Sequence, residues 1–341
     1  MTKQNGRSTL VTSRRTFMRA AGAGALLVSA PSILRGAPLT KVTFQLDWIA
    51  YGRHTPYYVA LAKGYYAAEG LDVNIEQGTG AMQGFRYLAS GGAQFIFQDI
   101  GSMIALRARE GIKFKAVACM YQKAPHTAFY IKDKGISSPK DLQGKTVAYS
   151  PGNSPKVMFP AFAAANKIDE STLRWLSVDP NSMNSVLLNH RADSILTYIF
   201  TQPVLQKAAQ GGDQVGTFVY SDYGADFYAN AIIALEDYIA TNPKIVRGFT
   251  HATLKGFEFV INNADESAAI MKNYQPQLDT EIAAKEVPLL RQLGMSDDTK
   301  KLGLGAMTKE KMEQTEELTV RYLNLGSHLS VADLYTNDFL T

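Results

Sequence analysis

Residues 41–76 read KVTFQLDWIAYGRHTPYYVALAKGYYAAEGLDVNIE, and this stretch determines the fold predicted for the chain. Lys41–Trp48 alternates apolar and polar residues and carries β-branched side chains, which predicts a strand. A helix is predicted over Pro56–Lys63, because Thr55 is suited to cap it and proline is favoured at a first helical position. Leu71–Glu76 is again strand-like, so the stretch predicts a strand–helix–strand unit.

The same alternation continues along the chain. Further strands are predicted at Phe95–Gln98, Phe114–Met120, Lys145–Tyr149, Trp175–Val178, Ser194–Thr197 and Thr217–Tyr220, with helices between most of them. Tyr228–Leu235 is strand-like and is predicted to rejoin the first sheet, and helical periodicity follows from Pro243 to about Leu325. This order predicts an α/β fold with doubly wound, parallel sheets.

The order of elements predicts two lobes. We expect residues 38–128 and 223–341 to form lobe 1 and residues 129–222 to form lobe 2, so that the chain crosses between them twice, near 124–129 and 223–228. Two lobes with two crossings make a hinged cleft. Ligands of such sheets bind beyond the carboxyl ends of the strands, where the polar and aromatic candidates of this sequence fall.

Composition excludes several classes of protein. The chain has 341 residues, of which 46% are hydrophobic and 19% charged, a globular balance that excludes a disordered chain. No apolar run reaches the roughly 20 residues of a membrane-spanning helix. Cys119 is the only cysteine, which excludes an intramolecular disulfide and cysteine-based metal clusters. No pair of histidines has the spacing of metal ligands, and no cofactor is expected.

The first 37 residues are predicted to be an export signal. Residues 13–19 read SRRTFMR, a paired arginine followed by phenylalanine, and the mildly apolar, small-residue stretch Ala20–Ala30 comes next. This layout predicts a twin-arginine signal and a periplasmic protein, with a basic disordered tail as the alternative. The segment holds six basic residues and no acid, so the net charge of +4 becomes −2 for the remainder. A general nucleic-acid-binding surface is therefore not expected.

Several short blocks carry a family resemblance. LDW at 46–48, HTPYYVA at 54–60, KGYY at 63–66 and EGLDV at 69–73 resemble the thiamine-pyrimidine-synthase-like branch of periplasmic solute-binding proteins. Further matches are GI at 135–136, SPKDLQGK at 138–145, SDYG at 221–224 and YTNDFL at 335–340. The resemblance spans about residues 41–341. That branch is close to the sulfonate- and nitrate-binding components of ABC importers.

The resemblance implies a two-lobed periplasmic-binding-protein fold of type II, with the ligand cleft between the lobes. It also implies a monomer that closes on a small solute and delivers it to a membrane permease with ATPase subunits. The family includes a pyrimidine synthase that uses a lysine-bound pyridoxal phosphate. Gln98 stands at that lysine position and Ser102 at the position of its histidine, and 225–232 lacks the synthase's cysteines. A Schiff base needs an amine, so an enzyme is not expected.

The first five candidate ligand-binding residues along the chain lie in lobe 1. Trp48 and Tyr51 follow the first strand; Trp48 either stacks on a flat ligand or packs in the core beneath its loop. Arg53 and His54 sit at a helix start, where Arg53 either binds an anion or is a solvated loop charge. Gln98 ends a strand and offers an amide to a ring edge.

Seven further candidates complete the predicted site. Asp99 either faces the ligand or caps the next helix. The remaining six are His126, Ser150, Asn153, Ser154, Tyr198 and Tyr223. The three in the loop SPGNSP at 150–155 suit a polar or anionic ligand end, with an ordinary capped helix start as the alternative. Pyrimidine-binding members of the family tend to carry an acid in lobe 2, but 198–201 reads YIFT, which leaves Asp222 or Tyr223 as substitutes.

The sequence therefore predicts a binding protein for a small aromatic or heterocyclic solute, resembling a thiamine pyrimidine precursor. A sulfonate, nitrate or aromatic carboxylate is the first alternative, and it would need a cleft dominated by Arg53 and backbone N–H groups. A pyrimidine-forming enzyme is a remote alternative. A sensor ectodomain that signals through a separate membrane partner is another.

Overall fold

Two sheets form the framework of the chain. The computed structural model describes residues 38–209 and 215–341, so the predicted export signal at 1–37 lies outside the described residues. The strands are β1 (Thr40–Gln45), β2 (Leu71–Glu76), β3 (Phe95–Asp99), β4 (Phe114–Cys119), β5 (His126–Ile131), β6 (Thr146–Tyr149), β7 (Arg174–Ser177), β8 (Ser194–Tyr198), β9 (Val215–Val219) and β10 (Asn230–Leu235).

Helices cover the sheets and make up most of the last third of the chain. They are α1 (Thr55–Ala62), α2 (Tyr65–Ala68), α3 (Ala81–Ala89), α4 (Ile100–Glu110), α5 (Ser154–Val157), α6 (Phe159–Ala165), α7 (Met183–Leu188), α8 (Gln202–Ala208), α9 (Glu236–Thr241), α10 (Pro243–Asn262), α11 (Ala264–Tyr274), α12 (Thr280–Gly294), α13 (Asp297–Leu302) and α14 (Lys309–Tyr322). Among the described residues, no helix combines the length and the apolar character of a membrane span.

The longest helix, α10, is anchored by its apolar face. Val246, Phe249, Phe257 and Val260 recur at helical spacing and are all fully buried. The ring of Phe249 stacks on that of Phe95 in β3, with ring centroids 4.2 Å apart. The helical periodicity predicted from Pro243 onward is confirmed here, since α10 begins at Pro243.

The first sheet has the order β2-β1-β3-β10-β4. β1 pairs in parallel with β2 and β3, with Val42 opposite Val73 and Phe44 opposite Phe95. β10 enters between β3 and β4 and is antiparallel to both. The predicted return of the chain to the first sheet is therefore confirmed, and the returning strand makes the sheet mixed where a parallel one was predicted.

The second sheet has the order β7-β6-β8-β5-β9 and is also mixed, because β5 is antiparallel to β8 and β9. β5 was missed by the sequence analysis. All six of its residues, His126–Ile131, are buried, so the alternation that marks a half-exposed strand is missing. The lobe boundaries proposed from the sequence stay a prediction.

Direct contacts join the two sheets. The backbone N–H of Ala81 donates to the carbonyl of Gly152 at 3.1 Å, and the hydroxyl of Tyr198 donates to Oδ1 of Asn230 at 2.8 Å. These contacts bring the carboxyl ends of β1, β3, β6 and β8 together and close a space between them.

Candidate functional site

A cavity of about 140 Å³ lies where these strand ends meet. Eight of the twelve predicted ligand-binding residues line it, namely Trp48, Tyr51, Arg53, Gln98, Ser150, Asn153, Ser154 and Tyr198. Ligands of open α/β sheets bind beyond the carboxyl ends of the strands. The position of a residue relative to a strand end was therefore enough to predict these eight.

Asp47 is the electrostatic centre of one wall. Its Oδ2 accepts hydrogen bonds from Nη1 of Arg53 and Nδ2 of Asn230, both at 2.9 Å. Burial alone would raise the pKa of Asp47, but the charge of Arg53 and the hydrogen bond from His54 outweigh it and lower the pKa to about 2. Arg53 is 5% exposed, so it is a neutralised, buried cation, and the alternative of a solvated loop charge is wrong.

His54 lies behind this wall, outside the cavity lining, and supports Asp47. Its Nδ1 accepts the backbone N–H of Tyr51 at 3.0 Å, which leaves Nε2 to donate to Oδ1 of Asp47 at 2.8 Å. Burial and the charge of Arg53 lower the pKa of His54 to about 4, so the ring is neutral at neutral pH. His54 therefore positions the carboxylate.

Aromatic side chains supply much of the cavity surface. Trp48 and Tyr51 enter from the loop after β1, whereas Tyr198 and Phe200 enter from the end of β8. The guanidinium of Arg53 lies 5.1 Å from the ring centroid of Tyr198, which fixes that ring between the two lobes. These surfaces suit the face of a flat ligand.

A second buried group connects the lobes behind the cavity. Nε2 of His126 lies 2.7 Å from Oγ of Ser154 and 3.4 Å from Oδ2 of Asp99. Burial raises the pKa of Asp99 to about 6 and lowers that of His126 to about 3. Oδ1 of Asp99 accepts the backbone N–H of Ser102 at 2.8 Å, so Asp99 caps α4, and neither Asp99 nor His126 lines the cavity.

The polar atoms of the loop at 150–155 are largely engaged within the protein. Oγ of Ser150 donates to the carbonyl of Val178 at 3.0 Å, and Nδ2 of Asn153 donates to that of Leu196 at 2.9 Å. Ser154 is held by His126, as described above. The loop therefore lines the cavity without presenting the free hydroxyls expected for an anion site.

Gln98 reaches the cavity from β3 with a free donor. The residue is 1% exposed and its Nε2 has no hydrogen-bond partner within the described chain. A Cβ at Gly84 would lie 2.4 Å from this Nε2, so the glycine makes room for the amide.

Glu286 is a cavity residue that the sequence analysis missed. It lies on α12, is 3% exposed, and its Oε2 has no hydrogen-bond partner in the described chain. Burial raises the pKa of Glu286 to about 8, against the opposing charge of Arg53. A buried polar atom without a partner costs about 1–3 kcal/mol. Glu286 shares a buried face with Ala283, Val287 and Leu290, and an acid on an apolar helix face is the pattern that could have identified it.

Tyr223 lies away from the cavity. It is 36% exposed, and its ring packs edge-on against Phe218 with centroids 5.2 Å apart. Asp222 is likewise outside the lining, so the acids that reach the cavity are Asp47 and Glu286 rather than either predicted substitute. Within the described ranges, no group of three His, Cys, Asp or Glu side chains could hold a metal ion.

Three proteins are similar to this chain in sequence. The riboflavin-binding protein RibY of Chloroflexus aurantiacus is 25% identical over 92% of this chain and 89% of its own length. The formylaminopyrimidine-binding protein of Halalkalibacterium halodurans is 28% identical over 70% of this chain and 72% of its own. The 4-amino-5-hydroxymethyl-2-methylpyrimidine phosphate synthase of Legionella pneumophila is 22% identical over 88% of this chain and 92% of its own length.

Solved structures share the fold. A Bordetella bronchiseptica protein superposes with a TM-score of 0.72 at 18% identity, covering 88% of this chain and 96% of its own. The alkanesulfonate-binding protein SsuA of Xanthomonas axonopodis pv. citri, bound to MOPS, gives a TM-score of 0.70 at 10% identity. The superposition covers 88% of this chain and 99% of that protein. The ligand-binding component of an ABC-type import system of Staphylococcus aureus gives a TM-score of 0.66 at 12% identity. The superposition covers 88% of this chain and 98% of that protein.

These similarities confirm the two-lobed periplasmic-binding-protein fold of type II. At the level of sequence, residues 52–267 match the family described as NMT1/THI5 like. Because this segment makes up more than half of the chain, the protein belongs to the NMT1/THI5-like family.

Proposed function

We propose that the protein is the substrate-binding component of an ABC importer and captures a small, flat aromatic or heterocyclic solute in the periplasm. The observation that carries the proposal is the cavity, in which aromatic side chains surround a cation already neutralised by Asp47. The relatives named for riboflavin and formylaminopyrimidine support this ligand class, because both names refer to flat heterocycles.

Charge argues against a small anion as the ligand. A sulfonate or nitrate is held most strongly by an uncompensated cation, but Arg53 is ion-paired with Asp47 at 2.9 Å. A neutral solute does not compete with Asp47 for this guanidinium.

The size of the cavity favours one ring over several. A cavity of about 150 Å³ is known to take benzene, and the space here is about 140 Å³. A single six-membered heterocycle fits such a space with little rearrangement. A tricyclic ring system would require the lobes to stand further apart.

Closure of the lobes is the proposed mechanism. The chain passes between the sheets once after β4 and once before β10, and these two segments are the expected hinges. The contacts of Ala81 with Gly152 and of Tyr198 with Asn230 form when the lobes meet. The closed form would then dock on the permease, whose ATPase subunits supply the work.

A non-enzymatic role is part of the proposal, although the Legionella relative is named as a synthase. Gln98 occupies the position that the resemblance assigns to the synthase's reactive lysine, and an amide cannot form a Schiff base. Incubation of the protein with pyridoxal phosphate should give no saturable imine band, because no amine stands at this position. An imine that forms with one equivalent of pyridoxal phosphate per chain would contradict the proposal.

Export through the twin-arginine pathway completes the proposal. The paired residues Arg14 and Arg15 are the feature that predicts it. Replacing both with lysine should leave the protein in the cytoplasm, as measured by cell fractionation. The double replacement of Lys3 and Arg7 is the matched control, and it should not change the export.

Fluorescence of Trp48 tests the ligand class directly. The chain has two tryptophans, so a Trp175→Phe variant leaves Trp48 as the single reporter inside the cavity. Single-ring heterocycles should change this fluorescence with saturation, because they contact the indole. A response to alkanesulfonates or nitrate alone would contradict the aromatic ligand and leave the transport role in place.

A further inference from the structure

We propose that Glu286 reads the edge of the bound ring and selects a neutral heterocycle that carries a hydrogen-bond donor beside an acceptor, such as an amino group next to a ring nitrogen. This inference rests on the proposed binding function and names the ligand class of the same cavity. Glu286 lies outside the matched segment 52–267, so the shared family pattern does not assign it.

A close approach of two elements brings Glu286 to the cavity. The 3₁₀ turn Gly52–His54 packs directly against α12. A Cβ on Gly52 would lie 2.7 Å from Cα of Ala283 and 3.0 Å from Oε2 of Glu286. Only glycine allows this approach, and it places the carboxyl of α12 beside the loop that carries Trp48 and Arg53.

The fold leaves one oxygen of this carboxyl without a partner. Arg53 is the cation that acts on Glu286, yet its guanidinium pairs with Asp47 instead. Across residues 38–209 and 215–341, Glu286 takes part in no ion pair, and its Oε2 has no hydrogen-bond partner. A buried oxygen without a partner in the fold is available to a ligand.

The surroundings keep the carboxyl protonated. Burial raises the pKa of Glu286 to about 8, while the charge and the backbone N–H of Arg53 oppose the shift. Tyr51 and Tyr121 are the other titratable groups coupled to it. Lys207 on α8 is held by Asp279 at the start of α12, with Nζ 2.6 Å from Oδ2.

A neutral carboxyl has a defined complement. It donates one O–H and accepts at its other oxygen, so it pairs with a ring edge that accepts and donates side by side. Gln98 adds a second buried and unpartnered atom, the donor Nε2, in the same cavity. A pure hydrocarbon ring would leave both groups unpaired.

The test compares two probes, 4-aminopyrimidine and pyrimidine, on the Trp175→Phe background. The protein should bind 4-aminopyrimidine about tenfold or more tightly than pyrimidine, because a site built for a hydrogen bond rejects the analogue that lacks it. Glu286→Leu should reduce this ratio of dissociation constants to about one. Glu286→Gln should keep the preference, since an amide also donates and accepts. Glu281→Gln, an exposed acid on the same helix, is the matched control.

The ratio separates recognition from a structural role, because a merely weakened fold would lower the affinity for both probes alike. If Glu286→Leu binds both probes with the wild-type ratio, the inference is overturned while the proposed function stands. If the wild-type protein binds neither probe nor any other flat heterocycle, both fail. Should Glu286→Leu not fold, 4-(dimethylamino)pyrimidine, which lacks N–H donors, replaces it. Wild-type protein that binds this probe as tightly as 4-aminopyrimidine would overturn the inference.

Discussion

The carboxylate of Asp47 compensates the charge of Arg53, because both side chains are buried and little water reaches the guanidinium. We therefore expect Asp47→Asn to lower the free energy of unfolding by about 3–5 kcal/mol, because it leaves a buried guanidinium without its counter-ion. Urea unfolding followed by circular dichroism measures this change. Asp297→Asn is the control, since that carboxylate is exposed on α13 and should matter little. A loss below about 1 kcal/mol would contradict the role given to Asp47.

Glu286 makes stability depend on pH. Its pKa rises from 4.5 to about 8 on folding, so the folded chain holds a proton that the unfolded chain releases. The contribution of Glu286 to the free energy of unfolding is therefore greatest below pH 4.5 and falls as the pH rises towards 8. Glu286→Gln should remove this part of the decline, measured as the difference between wild-type and variant melting curves from pH 5 to 8. Parallel curves across that range would show that the carboxyl is not shifted.

Sequence position predicted most of the lining but not its chemistry. Trp48, Gln98 and Ser150 line the cavity because each stands at the carboxyl end of a strand, a place that local pattern reveals. Glu286 could not be placed in this way, since it reaches the cavity through the packing of a distant helix. Tyr223 shows the converse, because it follows β9, the edge strand of the second sheet, which β5 separates from β8.

At the scale of elements, the contact between the turn at Gly52 and α12 sets the position of the Glu286 carboxyl. Gly52→Ala should push the helix away, because the new Cβ would lie 2.7 Å from Cα of Ala283. We expect a destabilisation of about 1–3 kcal/mol and weaker ligand binding. Thermal unfolding and fluorescence titration measure the two effects. Lys285→Ala on the exposed face of α12 is the control, and an equal effect of both variants would contradict the packing argument.

The strands of the two sheets differ in how well the sequence pattern predicted them. The parallel strands β1, β2 and β3 follow from the strand–helix–strand order of the opening stretch, and β10 was placed from its apolar character. β5 was not, since a strand buried on both faces resembles any other apolar segment. Its antiparallel direction depends on where the chain crosses between lobes, and that is a property of the whole fold.

At the scale of the whole molecule, the two lobes meet beside the cavity, and this contact offers a test of closure. A Cβ on Gly152 would lie 3.9 Å from Cβ of Met82, within the range of disulfide-bonded pairs. Met82→Cys with Gly152→Cys should therefore form a disulfide that locks the lobes together. Position 152 has φ +74°, so a residue other than glycine there costs about 1–2 kcal/mol. The native Cys119 is buried and should not compete.

Locking should trap the ligand. When the double variant is oxidised with ligand present, dissociation measured by stopped-flow fluorescence should slow by about tenfold or more and recover on reduction. The single variant Met82→Cys is the control and should respond to neither treatment. An unchanged dissociation rate in the disulfide-bonded protein would show that ligand release does not require the lobes to part here.

The central claim is that the cavity between the lobes binds a small neutral heterocycle, and a thermal-unfolding screen at neutral pH tests it most directly. The panel holds aminopyrimidines, flavin precursors, purines, aromatic carboxylates, alkanesulfonates and nitrate. A ligand at 100 times its dissociation constant stabilises a protein by about 2.7 kcal/mol, which raises the melting temperature by several degrees. We expect this shift with single-ring heterocycles that carry a donor beside an acceptor. A shift with sulfonates or nitrate and none with any heterocycle would contradict the account.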